Sequence, residues 1–402
     1  MPEIKKCRIC DNKIFSEILN LGNQYYSGRF PAKGQKIPKA KLNLIKCNKC
    51  DLVQLKNKFK SSEMYGDFYG YESSQNIWMI NHLKKNVNEL KKFLKNKDMI
   101  LDIGSNDGTT LSLFPKNNFK YGFDPSAKKF KKNYPKNSKL ILDFFSYSKI
   151  KKLKLRKKFK LITSFAMFYD LDDPVKFAKD IEKIIENDGV WCLEQSYLPE
   201  MLEKNAFDTI CHEHLEYYSL KQIELIMKKA NLRVFDVKLN GANGGSFNIK
   251  VCKKNSKINT RKSVFKLRNF EKIYFSKKNV FSKFKKRILK IKFKLLTKLK
   301  KYKNTGKSIY ALGASTKGNI HLQYYNLDNS IISAVGEVNK KKFGKYTPGT
   351  NIKIVDENIL VKKPDSIYLI MPWHFKSFFL KSKKLKNKIK IFPLPEVYVA
   401  KK

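Results

Sequence analysis

The chain has 402 residues, 42% of them hydrophobic and 13% aromatic, which excludes a wholly disordered chain and predicts roughly two to three domains. No apolar run approaches the roughly 18 residues of a membrane helix, and MPEIKK followed by a cysteine pair is no signal peptide. We therefore expect a cytoplasmic protein with no integral membrane segment, whose cysteines are metal ligands or free thiols.

The formal charge of +50 comes from 85 Lys and Arg against 35 Asp and Glu. It could attract nucleic acid, membrane phosphate or an anionic substrate. The excess is nearly all lysine, and it is spread over the whole chain together with abundant Asn and Ile. We therefore favour the compositional bias of an AT-rich genome over a selected polyanion site.

Two C-x-x-C pairs open the chain, Cys7 with Cys10 and Cys47 with Cys50. Each pair can present two thiolates to one zinc ion, and two pairs complete a closed tetrahedral site that would help a small module fold. Four thiolates leave no open position, so the zinc is expected to be structural; unpaired surface thiols are the alternative. Pro, Gly and Lys in residues 29–41 predict that the insert between the pairs is mostly loop.

An aromatic segment follows at residues 61–81. Its ring residues are Tyr65, Phe68, Tyr69 and Tyr71. They do not keep one helical face, so the segment is either a lid that offers tyrosine hydroxyls to a substrate or a packing surface for the zinc module. An amphipathic helix is predicted over residues 77–93.

Residues 99–108, MILDIGSNDG, predict a buried strand that runs into a glycine turn, with a helix starting near Thr109. The spacing is G-x-x-x-G and not the G-x-G-x-x-G that seats a pyrophosphate, which favours S-adenosylmethionine (SAM), a ligand without phosphate. An ordinary strand-to-helix turn is the alternative. The predicted cofactor-binding residues on the turn are Asp102, Gly104, Asn106 and Gly108.

Two further strands end in acidic residues. The strand at 120–123 ends at Asp124, which could accept both ribose hydroxyls, and the strand at 140–142 ends at Asp143, which could meet the adenine amino group. A strand at 159–164, a helix at 175–186 and a strand at 189–194 continue the alternation. The pattern predicts an α/β fold with a parallel, doubly wound sheet, whose ligand crevice lies at the carboxyl ends of its strands.

The segment that follows this sheet contains His212, Glu213 and His214. The order is His-Glu-His and not His-Glu-x-x-His, which excludes the helical zinc-protease arrangement. On an extended segment residues i and i+2 face the same side, so both histidines would face the crevice. An imidazole titrates near neutral pH and can act there as a general base. A hydrogen-bonded connector is the alternative.

The rest of the chain contains a strand at 232–238, a glycine-rich turn at 240–247 and a strand at 246–252. Residues 256–305 predict a Lys-rich helical linker packed between domains, with a membrane-surface helix as the alternative. A second strand–turn–helix at 307–319 opens a smaller Rossmann-like α/β domain. There Lys317 could hold a substrate phosphate, unless the turn binds nothing.

The predicted domains are a zinc-binding module (1–65), a SAM-dependent domain (66–255), the linker (256–305) and the C-terminal domain (306–402). Together with LDIGSNDG, HEHLEYYS, GASTKGN and the Pro-Gly-Thr at 348–350, the four-cysteine module resembles the SAM-dependent sugar C-methyltransferases over essentially the full length. Those enzymes alkylate C3 of nucleotide-linked 4-keto-deoxysugars. The resemblance implies structural Zn²⁺ in the first domain, SAM in the central one and the sugar between domains.

The resemblance also implies residue roles. The catalytic base falls on His214, its neighbouring glutamate on Glu213, and a tyrosine on Tyr71 or Tyr69; the chain departs from the family at Cys211, where a tyrosine is usual, which leaves the sugar open. A positioned base can remove a proton next to a ketone, and the enolate carbon then attacks the methyl group in line. We expect His214 to take the proton, Tyr71 to orient the sugar oxygen and Glu213 to fix the imidazole. The predicted substrate residues are Tyr69, His212 and Lys317.

Three other functions are alternatives. The first is SAM-dependent O-methylation of another small molecule, and the second is methylation of nucleic acid by an enzyme with a zinc ribbon. Against the second, the strand ending at Ser164 runs into FAM and lacks an Asn/Asp-Pro-Pro-Tyr segment, and no Pro-Cys dipeptide offers a nucleophile. The third is a SAM-binding protein without turnover. We expect a nucleotide sugar as partner, no nucleic acid, and a monomer.

Overall fold

The computed structural model describes residues 2–66 and 69–401, which form three β-sheets flanked by helices. The strands are β1 (Phe15–Tyr25), β2 (Lys39–Cys47), β3 (Val53–Leu55), β4 (Met99–Ile103), β5 (Phe119–Phe123), β6 (Ser138–Ile141), β7 (Phe159–Phe165), β8 (Ile185–Ser196), β9 (Glu216–Tyr217), β10 (Leu232–Asn240), β11 (Ser246–Lys253), β12 (Ser308–Leu312), β13 (Ala334–Glu337), β14 (Ile354–Asp356), β15 (Ser366–Ile370), β16 (Ile389–Phe392) and β17 (Tyr398–Ala400).

Twelve α-helices occur within the described residues. They are α1 (Ser61–Met64), α2 (Ile77–Leu90), α3 (Thr109–Ser112), α4 (Tyr147–Lys152), α5 (Pro174–Ile184), α6 (Leu198–Glu203), α7 (Leu220–Lys229), α8 (Lys262–Ser276), α9 (Val280–Asn304), α10 (Thr316–Tyr325), α11 (Glu357–Leu360) and α12 (Lys376–Lys381). No helix in the described part of the chain is both long and apolar enough to cross a membrane.

The N-terminal sheet corrects the expectation that the insert between the cysteine pairs is mostly loop. Strands β1 and β2 pair antiparallel over most of that insert, and only the connection between them is irregular. Side chains such as Leu21, Leu42 and Leu44 are buried on the inner face. The alternation of apolar residues therefore outweighs the Pro and Gly content, which lies in the connection except for Gly22 of β1.

The fourth strand of this sheet comes from far along the chain. The order is β1-β2-β3-β9, and β9 lies directly after the His-Glu-His segment. The Leu55 amide donates to the Leu215 carbonyl at 2.8 Å. The N-terminal module and the segment that carries the predicted base therefore share one sheet.

The central sheet has the order β10-β11-β8-β7-β4-β5-β6. Five strands, from β8 to β6, are parallel as predicted, and β11 and β10 add an antiparallel edge. The chain moves from β4 towards β6 on one side and from β7 towards β8 on the other. The crevice of this sheet consequently opens between the carboxyl ends of β4 and β7.

The C-terminal sheet has the order β14-β13-β12-β15-β16-β17 and is parallel except for β17. The chain adds β13 and β14 on one side of β12 and β15 and β16 on the other. The order of strands therefore reverses at β12, and the crevice of this sheet starts at the glycine turn after that strand. The predicted α/β class with a second Rossmann-like domain is confirmed, whereas the exact domain boundaries stay a prediction.

The Lys-rich region forms two helices, α8 and α9. The apolar stripe of α9, from Phe284 to Leu299, is buried in a core that also contains Leu44 of the N-terminal sheet and Ile309 of the C-terminal sheet. Its lysines face outwards because the stripe covers only one side of the helix. The helix thus packs against both the N-terminal and the C-terminal sheet.

Candidate active site

A cavity lies where the carboxyl ends of the central sheet face the start of α10 in the C-terminal domain. Its walls come from the turns after β4, β5, β6 and β7, from the aromatic segment, from the His-Glu-His turn and from Thr316 and Lys317. Crevices at strand ends between domains are where small-molecule sites usually form. Residues predicted from four separate stretches of sequence therefore line one space.

The glycine turn forms the floor of this cavity. Gly104 has φ +73°, and a Cβ there would lie 3.1 Å from Cγ of Met167, so the position requires glycine. Asp102 accepts a hydrogen bond from Thr163 Oγ1 at 2.6 Å through Oδ1, while its Oδ2 has no partner. Burial raises the pKa of Asp102 to about 7. An unpartnered carboxylate oxygen beside an open turn can accept from a bound ligand.

Asp124 stands at the carboxyl end of β5 as predicted and lines the cavity. Its Oδ2 accepts the Asn106 amide at 2.8 Å, and its Oδ1 accepts the backbone and hydroxyl of Ser126 at 2.7 and 2.6 Å. Oδ2 keeps one lone pair for a further donor, whereas both lone pairs of Oδ1 are used by Ser126. Asp143 also lines the cavity, but its half-exposed carboxylate pairs with Lys149 at 2.6 Å, which lowers its pKa.

Two of the predicted cofactor residues, Gly108 and Asn106, make contacts within the protein. Gly108 does not line the cavity; it has φ +81° and the Tyr134 ring 3.0 Å from where a Cβ would stand. The Asn106 side chain accepts from the Ser73 amide at 3.0 Å and donates to the Tyr71 carbonyl at 3.0 Å. The polar groups of Asn106 are thus engaged by the aromatic segment, although the residue does line the cavity.

The aromatic segment lies over the glycine turn. Besides Asn106, the carboxylate of Asp107 holds it by accepting from the Ser74 amide at 2.8 Å. Tyr65, Tyr69 and Tyr71 all line the cavity, and Tyr71 is still 44% exposed. The segment thus covers the turn, and Phe68 lies outside the described residues.

His214 lies in the cavity wall with one nitrogen engaged. Its Nδ1 is 2.9 Å from the carbonyl of Thr209, and because a carbonyl only accepts, Nδ1 carries the proton and Nε2 has a free lone pair. The Tyr169 ring packs at 4.2 Å. Burial, with the charge of Lys317, lowers the pKa of His214 to about 4, so the imidazole is neutral at pH 7.

Glu213 does not fix the imidazole, contrary to expectation, because the Thr209 carbonyl does so. Its carboxyl lies against Gly28, where a Cβ would be 2.3 Å from Oε1. Oε2 is buried without a partner, and burial raises the pKa of Glu213. The residue lines the cavity beside His214.

His212 is corrected as a substrate residue. Its ring is fully buried, 4.8 Å from that of Tyr26 and 5.1 Å from that of Phe59. The His214 amide bonds to the Cys211 carbonyl at 3.2 Å, so the segment is a turn and not the extended strand that would place both histidines on one face. His212 therefore anchors the turn to the N-terminal sheet.

Lys317 reaches the cavity from the first turn of α10. Its Nζ donates to the Asn243 carbonyl at 2.6 Å, in the glycine-rich turn of the central domain. Burial lowers the pKa of this lysine, although nearby Asp208 raises it. The Lys317 side chain thus joins the two domains at the edge of the cavity.

Sequence reasoning missed two acidic residues of the cavity, Asp170 and Glu194. Burial raises the pKa of Asp170 well above its usual range, against a hydrogen bond from Tyr65. Glu194 bonds to His82 Nε2 at 2.5 Å and accepts three amide groups. These come from Asn86, Asn240 and Asn248 at 2.9–3.2 Å. Their position at the ends of β7 and β8 was the available signal.

The four predicted metal ligands come together. Their sulfur atoms lie within 4.8 Å of one another, with 3.6 Å between Cys7 and Cys50 and 3.5 Å between Cys10 and Cys47. Thiolates held about 2.3 Å from a tetrahedral zinc ion are about 3.8 Å apart. The donor set and its size therefore fit a closed zinc site.

Comparison with known protein families finds three matches in chain order. Residues 7–65 match a zinc binding domain, residues 76–237 a methyltransferase domain and residues 241–395 a C-methyltransferase C-terminal domain. The C-methyltransferase NovU of Streptomyces niveus is 24% identical over 406 residues, which cover 98% of this chain and 96% of NovU.

Solved structures match less than half of the chain. A S-adenosylmethionine-dependent methyltransferase from Clostridium acetobutylicum covers 43% of this chain and 92% of its own, with 16% identity and a TM-score of 0.34. The YcgJ protein from Bacillus subtilis covers 44% of this chain and 98% of its own, with 13% identity and a TM-score of 0.32.

Proposed function

Because the chain is a SAM-dependent methyltransferase with a structural zinc module and the domain layout of the sugar C-methyltransferases, we propose that it methylates a carbon atom of a nucleotide-linked keto-deoxysugar. The observation that carries this proposal is His214, a neutral imidazole with a free Nε2 in the wall of the cavity that holds the glycine turn. Carbon methylation next to a ketone needs such a base, since the carbon must first lose a proton.

The cation Lys317 supports the same chemistry. It lowers the pKa of His214, which keeps the lone pair free but makes the imidazole a weak base. The same positive charge would stabilise the enolate that forms when the proton leaves. The hydroxyls of Tyr69 and Tyr71 line the cavity as further donors. We infer that the enolate oxygen lies towards this group of donors.

Glu213 and Asp170 fit the sugar side of the site. Burial raises the pKa of both carboxyl groups, and a protonated carboxyl can donate to a sugar hydroxyl or ketone oxygen. We therefore propose a substrate-binding role for Glu213 in place of an orienting one. Asp170 joins it as a residue that only the structure brought into consideration.

The cofactor contributes a methyl group carried on a positively charged sulfur. We propose that Asp124 binds its ribose hydroxyls and that the free oxygen of Asp102 accepts from its amino-acid end, because both carboxyl groups line the cavity at the strand ends. Gly104 lets the backbone approach the ligand closely. Asp143 would have to exchange its bond with Lys149 to reach the adenine amino group.

The test is transfer of labelled methyl from SAM to a panel of nucleotide-linked 4-ketosugars in heavy water, with RNA as a parallel acceptor. We expect a methylated ketosugar, and deuterium entering C3 when SAM is omitted, because the base acts before methyl transfer. Label on oxygen, or on RNA alone, would contradict the proposal.

A further inference from the structure

The turn that carries His214 is held by the zinc-binding module. Residues 216–217 form the edge strand β9, which pairs antiparallel with β3. The Leu55 amide donates to the Leu215 carbonyl at 2.8 Å, one residue after His214. His212 is held from the other side by Tyr26 and Phe59 of the same module. The N-terminal module therefore holds the turn on both sides of His214.

Arg8 connects the metal knuckle to that sheet. It stands between Cys7 and Cys10, and its side chain is only 2% exposed. Its guanidinium donates to the carbonyls of Leu55 and Asn57 at 2.9 and 3.2 Å and to the Gln54 side chain at 3.3 Å. The planar fork of arginine can brace all three at once, which lysine cannot do. Strand β3 is thus tied to the first cysteine pair.

The same guanidinium faces the strand that follows His214. Arg8 Nε lies 3.8 Å from Oε1 of Glu216, and both side chains are buried. Neither carboxyl oxygen of Glu216 has a hydrogen-bond partner. Arg8 also approaches Asp172 at 3.4 Å, in the loop after β7. A single cation therefore contacts β3, β9 and the central domain.

The second cysteine pair has its own connection to this region. The Cys50 carbonyl accepts from the Gln222 side chain at 2.8 Å, and Gln222 caps the start of α7 together with Ser219. The segment from His214 to α7 is thus bounded by contacts with both knuckles. By contrast, Gly104 and Asp124 stand on the turns after β4 and β5, outside these contacts.

We propose that Arg8 is a positioning residue, through which the zinc-bound knuckle fixes the turn that carries His214. The kinetic part of this proposal rests on the proposed role of His214 as the base, whereas the structural part does not. A base displaced by about 1 Å can lose about 10²-fold in rate. Loosening the knuckle should therefore lower turnover while the cofactor cradle keeps its shape.

The experiment compares Arg8→Met with Lys6→Met in the full-length chain. Lys6 is an exposed cation beside the same knuckle, where it pairs with Asp11 at 2.8 Å. Zinc content, SAM affinity by calorimetry, methyl transfer and backbone hydrogen exchange are measured on both variants. In Arg8→Met we expect one zinc per chain, SAM affinity within about twofold, faster exchange in residues 209–218 and kcat lower by about 10²-fold. Lys6→Met should match the parent.

Unchanged exchange in residues 209–218 of zinc-loaded Arg8→Met would overturn the proposal. Faster exchange without a loss of turnover would support the positioning role and count against His214 as the base, which separates the two proposals. If Arg8→Met fails to fold, zinc is removed from the parent protein with a chelator and restored. Exchange in residues 209–218 must then rise and return with the metal, and exchange in β4 and β5 must stay constant. A uniform rise over both regions would overturn the proposal.

Discussion

Replacing His214 by Asn should abolish methyl transfer while leaving the protein folded and able to bind SAM. The Asn amide nitrogen stands close to the place of imidazole Nδ1, so the hydrogen bond to the Thr209 carbonyl, 2.9 Å in the parent, can be kept. What is lost is Nε2, the free lone pair. The variant thus removes the proposed base with little change to the turn that carries it.

The expected magnitude follows from these contacts. A positioned general base contributes about 10²–10⁴-fold, which is about 3–5 kcal/mol of the barrier. Loss of the ring contact with Tyr169, at 4.2 Å, should lower stability by about 1 kcal/mol. SAM affinity should not change, because the turn after β4 has no part in the substitution.

Three measurements decide the outcome. Methyl transfer and C3 deuterium exchange should fall together, because both need the same proton abstraction, and calorimetry should give the parental SAM affinity. An equal loss of SAM affinity and turnover would show that His214 is structural. Deuterium exchange at the parental rate would show that another group is the base.

Three more predictions concern the cofactor turn, the metal site and the pH dependence of stability. Gly104→Ala should weaken SAM binding by about tenfold in calorimetry, because a side chain at φ +73° costs about 1–2 kcal/mol; an unchanged affinity would contradict this. Cys47→Ser should lose the zinc, expected at about one per chain by metal analysis, and lower the melting temperature. The pKa of fully buried His212 is lowered to about 4 by burial, so the unfolded chain binds the proton more readily and stability falls as pH drops from about 6.5 to 4. Urea unfolding should show about 2 kcal/mol less stability at pH 5 than at pH 7 from this residue, and His212→Gln should remove that difference.

The parts of the fold that could be predicted from sequence are those with a local period or a fixed spacing. Alternating strands and helices around β4, and two cysteine pairs with metal-ligand spacing, specify their structure within a few residues of themselves. The glycine turn was recognisable for the same reason, since the positive φ of Gly104 is a property of one position. In each case the information is local.

The features of the site that could not be predicted from the sequence depend on contacts between distant residues. The Thr209 carbonyl, which orients His214, is a backbone group, and no side-chain pattern marks it. His212 was misplaced because a turn and an extended strand of four residues look alike in sequence, and only packing against Tyr26 decides between them. Asp170 is one acidic residue among several after β7, and its hydrogen bond from the distant Tyr65 depends on the fold.

The edge strand β9 has a consequence for how the chain folds during synthesis. Roughly 160 residues separate β3 from β9, and at 5–20 residues per second a ribosome needs on the order of 10–30 s to make them. During that time the first three strands expose an unpaired edge. The apolar side chains that will pack against α9 and β12 are exposed as well. The N-terminal module is thus synthesised before the strands and the helix that complete it. During this interval the nascent chain depends most on protection from aggregation.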